Sequence, residues 1–378
     1  MRKLLLIFFG NLLLLITSSS PTLAGQYGSP KKGVGGEYSA ATSATKVSWF
    51  YNWQHYSENS FKQGVRFVPM ARVGKSESAN CTGPWKYPDF SHYQNLVRNT
   101  ARNHPGSYWL IGNEPSLGDQ DAIQLECALS RYKAAIDFIR QEDPKAQFIV
   151  GGFHLNPNRP QVNDFGPALL PLKNEAGFAG WHIHIYVDSQ KDVASSVSDF
   201  QNILNHFINW LQTNNAGDEL WVTEFLECFW GGNRTLNEAN IKLLMQQIVP
   251  LLEDNRSVTR YAWYLHSDPA GQSWPFALFS HQSQLKSLGQ TYSELATTDT
   301  PPNPVPTPSK TYWSGWNAIG KDFGQARGLP SPSLSLSRLL GGLWQTFVKG
   351  FGGINFALAE GETYHLKAWA KVVLEEKK

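Results

Sequence analysis

Trp109-Leu110-Ile111-Gly112-Asn113-Glu114-Pro115 is a short apolar run that stops on an amide, a carboxylate and a proline. Leu220-Trp221-Val222-Thr223-Glu224-Phe225 does the same, and its Glu224 lies 110 positions after Glu114. Similar runs occur at Val47–Trp53, Arg66–Met70, Phe148–Gly152, Trp181–Tyr186 and Tyr261–Leu265, with a weaker one at Gly33–Gly36. Continuous apolar runs of this length mark strands buried on both faces. Between them, Leu125, Leu129, Tyr132, Ile136 and Ile139 recur with a helical period, and so do Val193, Val197, Phe200, Leu204, Phe207 and Leu211. Strands alternating with helices imply a parallel sheet covered by helices. Eight strands in about 250 residues fit a (β/α)8 TIM barrel. The competing architecture is an open doubly wound sheet, but no GxGxxG follows the early strands to support a dinucleotide site. In a barrel, chemistry gathers at the C-terminal ends of the strands. The polar residues that end the apolar runs therefore become the candidates.

The rest of the chain sets the context. Residues 1–24 read as an export signal, with Arg2 and Lys3 ahead of an apolar stretch from Leu4 to Ile16 and small residues at Thr22-Leu23-Ala24. The stretch is shorter than the ~20 residues that a membrane span needs. Cleavage predicts a secreted or periplasmic protein with no membrane span. The 33 Lys and Arg less Arg2 and Lys3 leave 31, against 31 Asp and Glu. A neutral chain lacks the clustered cations that nucleic acid requires. Of three cysteines, Cys81, Cys127 and Cys228, an oxidising compartment allows one bridge. Cys81–Cys127 is the first choice, and no CxxC pair suggests a zinc ribbon. Residues 301–309, PPNPVPTPS, resist helix and sheet. They divide a catalytic domain at 25–299 from a small β-rich C-terminal appendage at 311–378, with the linker spanning 300–310.

Two carboxylates across a barrel mouth are the minimum equipment for breaking a glycosidic bond: one donates a proton and the other attacks or holds a water. Asn113-Glu114-Pro115 and Thr223-Glu224-Phe225 resemble the two signatures of clan A retaining glycoside hydrolases. Lys32-Gly33-Val34-Gly35, Val47 to Trp53, Phe67 to Met70 and His184-Ile185-Tyr186 bring the resemblance closer, to the glycosyl hydrolase catalytic-core family, which includes family 128 endo-β-1,3-glucanases. The resemblance covers roughly residues 32–290 and supports Gly33–Gly36 as the first strand. It implies that Glu114 is the acid/base and Glu224 the nucleophile. It also implies that Asn113 bonds the sugar 2-hydroxyl and that Tyr186 orients Glu224. Ser116 stands where many relatives carry Asp. Glu227, three residues past Glu224, is a competing nucleophile, but Glu224 caps the better strand. A negative neighbour and partial burial predict a raised pKa for Glu114.

His182, His184 and Tyr186 alternate and so share one face of the sixth strand. His182 is expected low in the barrel and His184 near the sugar. With His154 and His266, this HxH suggests a second reading, a metal-dependent hydrolase. A third is a carbohydrate-binding protein without catalysis. The sequence implies no metal and no cofactor for the glycosidase. Aromatic residues make up 13% of the chain, enough to line a sugar site as well as a core. Tyr51, Trp53 and Trp263 are expected at the sugar, and Trp85, Trp230 and Trp274 approach the same rim. Trp109 and Trp181 are expected in the core. In the tail, Trp313 to Gly320 and Leu343 to Gly350 resemble one repeat of a bacterial β-propeller lectin, which leaves two readings: a carbohydrate-binding role, or a β-rich appendage without binding activity. The expected partner is a polysaccharide or oligosaccharide, with β-1,3-glucan as the expected polymer.

Overall fold

The structure is a computed structural model and describes residues 27–37, 41–57, 65–74, 81, 90–156, 165–188, 191–217, 219–228 and 237–298. The export signal, Trp85, Trp230, the proline-rich linker and the lectin-like tail lie outside the described residues. The strands are β1 (Tyr27–Gly28), β2 (Lys32–Gly35), β3 (Trp49–Tyr51), β4 (Arg66–Phe67), β5 (Met70–Ala71), β6 (Tyr108–Ile111), β7 (Gln147–Leu155), β8 (Phe178–Asp188), β9 (Leu220–Cys228), β10 (Val258–Trp263) and β11 (Thr297–Thr298). The α-helices are α1 (Phe90–Asn103), α2 (Ala128–Glu142), α3 (Phe165–Leu169), α4 (Val193–Thr213), α5 (Glu238–Asp254) and α6 (Ser287–Glu294).

Nine strands form one parallel, curled sheet in the order β4-β3-β2-β10-β9-β8-β7-β6-β5. Its two end strands are separated in the chain by Val68 and Pro69 alone. Val68 N donates to Phe50 O at 2.9 Å on one side, and Leu110 N donates to Pro69 O at 2.9 Å on the other. Pro69 has no N–H, so it divides a single extended stretch into β4 and β5. This gives the α/β architecture of a barrel-like fold, with each of the eight predicted runs on a strand.

Two apolar layers follow from the alternation of side chains along each strand. Trp49, Tyr51, Val68, Met70, Leu110, Ile149, Trp221 and Ala262 fill the inside of the curl. The opposite faces meet the helices. Trp109 and Trp181 are fully buried there, as expected for core residues. In α4 the stripe Phe200, Ile203, Leu204, Phe207 and Leu211 is buried, and Asp192 caps the helix by accepting from Ser195 N at 2.9 Å. Gly33 is a glycine for lack of room, since a Cβ there would lie 2.3 Å from the Trp49 indole. Cys81 and Cys127 are bridged, closing 46 positions of chain. Among the described residues, no helix is long and apolar enough to cross a membrane.

Candidate active site

Glu114 leaves β6 through a tight, heavily bonded turn. Gly112 precedes it at φ +87°, and a Cβ there would stand 2.1 Å from the Tyr132 hydroxyl oxygen. Asn113 N donates to Asp121 Oδ2 at 2.8 Å, and Glu114 N donates to Gly152 O on β7 at 2.8 Å. Glu114 itself sits at φ 48°, a left-handed conformation unusual for a side chain of its size. Its carboxylate is buried.

Glu224 enters from β9. A register shift between Ile183 and His184 on β8 brings His184 opposite Glu224, and another between Gly151 and Phe153 brings His154 opposite His184. The two irregularities align His154, His184 and Glu224 in one row across three neighbouring strands. His184 Nδ1 lies 2.9 Å and His154 Nδ1 3.0 Å from Glu114 Oε1. His184 Nε2 stands 3.5 Å from Glu224 Oε1. One oxygen of each carboxylate and a ring nitrogen of His184 all fall within 4.8 Å of one another.

Glu224 is held by three donors. Tyr51 OH reaches Oε1 at 3.1 Å, Trp53 Nε1 reaches Oε1 at 2.7 Å, and Tyr186 OH reaches Oε2. Trp53 adopts φ 58° to do so. Burial, reinforced by the Glu224 charge, pushes both Tyr51 and Tyr186 well above the usual phenol range, so they remain donors. Glu227 lies three positions further along β9, at opposite parity to Glu224.

The expected rise in the Glu114 pKa is reversed. Burial does push it up, but hydrogen bonds from His154 and His184 outweigh that and hold it at about 2. His184 moves the opposite way. Burial lowers its pKa, while the Glu224 charge and the Glu114 bond raise it above the usual imidazole value. The two directions agree: the proton of this cluster rests on the imidazole side. A negative neighbour and burial alone would raise the value; the two imidazole donors decide its sign.

The remaining candidates separate cleanly. Asn113 Nδ2 donates to Gln120 Oε1 at 3.0 Å, and Gln120 Oε1 also accepts from Arg72 Nη2 at 3.3 Å. The Asn113 amide oxygen is buried with no hydrogen-bond partner among the described residues, which suits it to a ligand hydroxyl. Arg72 pairs with the fully buried Asp121 at 2.5 Å. Trp263 is a correction. It is wholly buried and gives its indole N–H to Phe276 O at 2.9 Å. It packs edge-on against Phe225 on the helix side of β10. Its neighbour Tyr264 takes the inward position, against Trp53 and Tyr186 at ring-centroid distances of 5.7 and 6.2 Å. Trp274 is half-buried and stacks toward the same row through Phe276, 5.1 Å away.

The four histidines do not converge on one point, as a metal site built from them would require. His182 faces Thr223 Oγ1 at 3.1 Å and Ile111 O at 3.3 Å, low in the barrel as expected. His266 lies against Thr42 Oγ1 at 2.7 Å. Glu114, His184 and Glu224 are close enough to share an ion; His184 Nδ1 is bonded to Glu114, while its Nε2 is buried with no hydrogen-bond partner among the described residues. Sequence reasoning missed Arg72 and Gln120 as supports of the site. Arg72 carried the signal already used for the carboxylates, a polar residue ending an apolar run.

The family model described as the glycosyl hydrolase catalytic core matches residues 28–292. The chain belongs to that family and is a glycoside hydrolase. No curated protein matches it. Among solved structures, it is similar to a family 128 subgroup III curdlan-specific exo-β-1,3-glucanase from Blastomyces gilchristii in complex with glucose, at 20% identity and TM-score 0.50, covering 70% of this chain and 98% of that one. A subgroup II endo-β-1,3-glucanase from Pseudomonas viridiflava matches at 20% identity and TM-score 0.50, over 71% of this chain and 99% of that one. A subgroup I endo-β-1,3-glucanase variant from Amycolatopsis mediterranei, in complex with laminaritriose and laminaribiose, matches at 20% identity and TM-score 0.50, over 70% of this chain and 99% of that one.

Proposed function

We propose that this protein is an exported, retaining β-glycosidase that cleaves β-1,3-glucan by double displacement on a closed (β/α)8 barrel. The observation that carries the reading is the approach of Glu114 and Glu224 to within 4.8 Å, oxygen to oxygen. Retaining enzymes hold their carboxyls about 5–5.5 Å apart, whereas inverting enzymes leave about 6.5–9.5 Å for a water. Glu224 is held from both oxygens by neutral donors, the state a nucleophile requires. It attacks the anomeric carbon as the glycosidic C–O bond breaks. Glu114 gives the leaving oxygen a proton that it shares with His184. In the second step Glu114 takes a proton from water, and that water's oxygen displaces Glu224 from the sugar. The orphaned Asn113 oxygen accepts from the 2-hydroxyl, a bond that strengthens as positive charge develops on the ring.

The substrate class rests on the fold shared with the family 128 structures, and the aromatic rings of Trp53 and Tyr264 lie beside Glu224, where a sugar ring can stack. Export is supported by residues 1–24 and by the Cys81–Cys127 bridge, which an oxidising compartment maintains. The deciding experiment is a polysaccharide panel read by product mass, with wild type beside Glu224→Ala and Glu114→Ala. Azide should rescue Glu224→Ala with an inverted glycosyl azide, and should give Glu114→Ala a retained one on a substrate with a good leaving group. Equal background from wild type and Glu224→Ala across the panel would leave a sugar-binding protein without catalysis.

A further inference from the structure

The double displacement gives the imidazole of His154 no step of its own, yet its placement is specific. His154 is the last residue but one of β7, its Nδ1 meets Glu114 Oε1 at 3.0 Å, and its side chain keeps a small opening of 12%. Its ring stacks on Tyr186 with centroids 5.1 Å and planes 21° apart. Tyr186 in turn donates to Glu224. His154 therefore touches the machinery of both carboxylates. His184 Nδ1 reaches the same Glu114 oxygen from the next strand. A carboxyl group held at one oxygen by a single donor still swings about its terminal torsion. Two donors from different strands fix its plane and leave Oε2 for the substrate.

We propose that His154 is a positioning residue for proton transfer: with His184 it clamps Glu114 Oε1, directs Oε2 at the leaving glycosidic oxygen, and stabilises the carboxylate as its proton departs. The inference rests on the reading of Glu114 as the acid/base. Donors fixed in advance toward a developing charge lower the barrier without reorganisation. The balance is simple. The step starts from the minor form in which the cluster's proton has passed from His184 to Glu114: that O–H bond breaks as the leaving O–H forms, and the Nδ1–H donors of the clamp stay where they are. Facing Glu114 are His154 from β7, His184 and Tyr186 from β8, Glu224 from β9, Tyr51 from β3 and Tyr264 just past β10, with Arg72 beyond β5 acting on His184. The two imidazoles hydrogen-bond Glu114, so removing one should raise its pKa.

The test uses the full chain. His154→Phe keeps a ring over Tyr186 and deletes the donor. His154→Asn restores an N–H near the place of Nδ1. Each is assayed for kcat/KM on aryl β-laminaribiosides of graded leaving-group acidity across pH, with thermal melts beside them. His154→Phe should lose about 10- to 100-fold on phenyl leaving groups, part of what general acid catalysis supplies, and little on dinitrophenyl. The pH limb set by Glu114 should move to higher pH, and His154→Asn should recover most of both effects. Equal loss on every leaving group, or a limb that stays in place, overturns the proposal. If His154→Phe does not fold, His154→Gln is the donor-deleting variant, because its amide is displaced from the Nδ1 position. Glu114→Ala on the same series keeps the two readings distinct. If it retains activity on poor leaving groups, Glu114 is not the acid and both readings fall. If it shows the leaving-group dependence while His154→Phe does not, the clamp alone falls.

Discussion

Tyr186→Phe removes a single oxygen and leaves the ring on which His154 stacks. The lost hydroxyl is the donor to Glu224 Oε2, whereas Oε1 keeps both Tyr51 at 3.1 Å and Trp53 at 2.7 Å. A hydrogen bond to a charged group contributes about 1.5–3 kcal/mol. About 1.4 kcal/mol is tenfold in rate, so the expected loss in kcat/KM is roughly 10- to 150-fold. Trp53→Phe removes the indole N–H from an oxygen that retains a second donor, so its cost should sit at the lower end, roughly tenfold or less. Because both changes act through one carboxylate, the double variant should lose less than the product of the two. The assay is initial-rate hydrolysis of laminari-oligosaccharides, with melts to establish folding. A folded Tyr186→Phe within twofold of wild type would refute the claim that these donors hold the nucleophile. So would a Trp53→Phe that costs more than Tyr186→Phe.

Three further outcomes follow from other parts of the fold. Gly112→Ala forces a side chain into φ +87° and against Tyr132; it should lose about 1–3 kcal/mol or more of stability, and an unchanged urea midpoint would contradict the turn described. Lys32 is fully buried, and burial, aided by Lys46, lowers its pKa from 10.5 to about 7. Below pH 7 both folded and unfolded chains hold that proton and the penalty is complete. Between about pH 7 and 10.5 the unfolded chain binds more protons, so stability should rise with pH by up to ~1.4 kcal/mol per unit. Denaturation midpoints at pH 7 and 9 check this, and a Lys32→Met variant that keeps the same slope would remove the assignment. The Cys81–Cys127 bridge spans 46 positions, which corresponds to about 4 kcal/mol of chain-entropy stabilisation. Cys81→Ser should lower the midpoint accordingly, and a midpoint indifferent to both the substitution and a reductant would show that the bridge does not form.

The strands were legible because parallel strands buried on both faces write unbroken apolar runs into the sequence. Gly33–Gly36 was faint because its glycines answer to neighbours far along the chain: a side chain would meet the Trp49 indole at Gly33, Trp53 and Tyr51 at Gly35, and His266 at Gly36. Glu114 and Glu224 stood out as carboxylates at strand ends, and alternation placed His182, His184 and Tyr186 on one face. Trp263 was misplaced for the same reason that alternation helped elsewhere. Tyr261-Ala262-Trp263-Tyr264 carries apolar or aromatic residues on both faces, so nothing polar marks which parity looks inward. The small residue, Ala262, turned out to be the inward one, and Tyr264 follows it. The convergence of His154 and His184 on one oxygen was hidden because it depends on two register shifts. The first shift lies at Gly151-Gly152, both at positive φ, and glycines inside a strand are a bulge signal; the second, where Thr223 is the extra residue, carries no such mark, and without it the row across β7, β8 and β9 cannot be counted out.

Glu114 and Trp53 both hold left-handed backbone at φ 48° and 58°. Side chains other than glycine pay roughly 1–2 kcal/mol for that conformation. Laboratory evolution scored on heat resistance alone would therefore favour glycine at both positions. The fittest survivors would be hardy proteins whose cleft had gone silent, so any campaign to toughen this molecule must screen turnover alongside endurance.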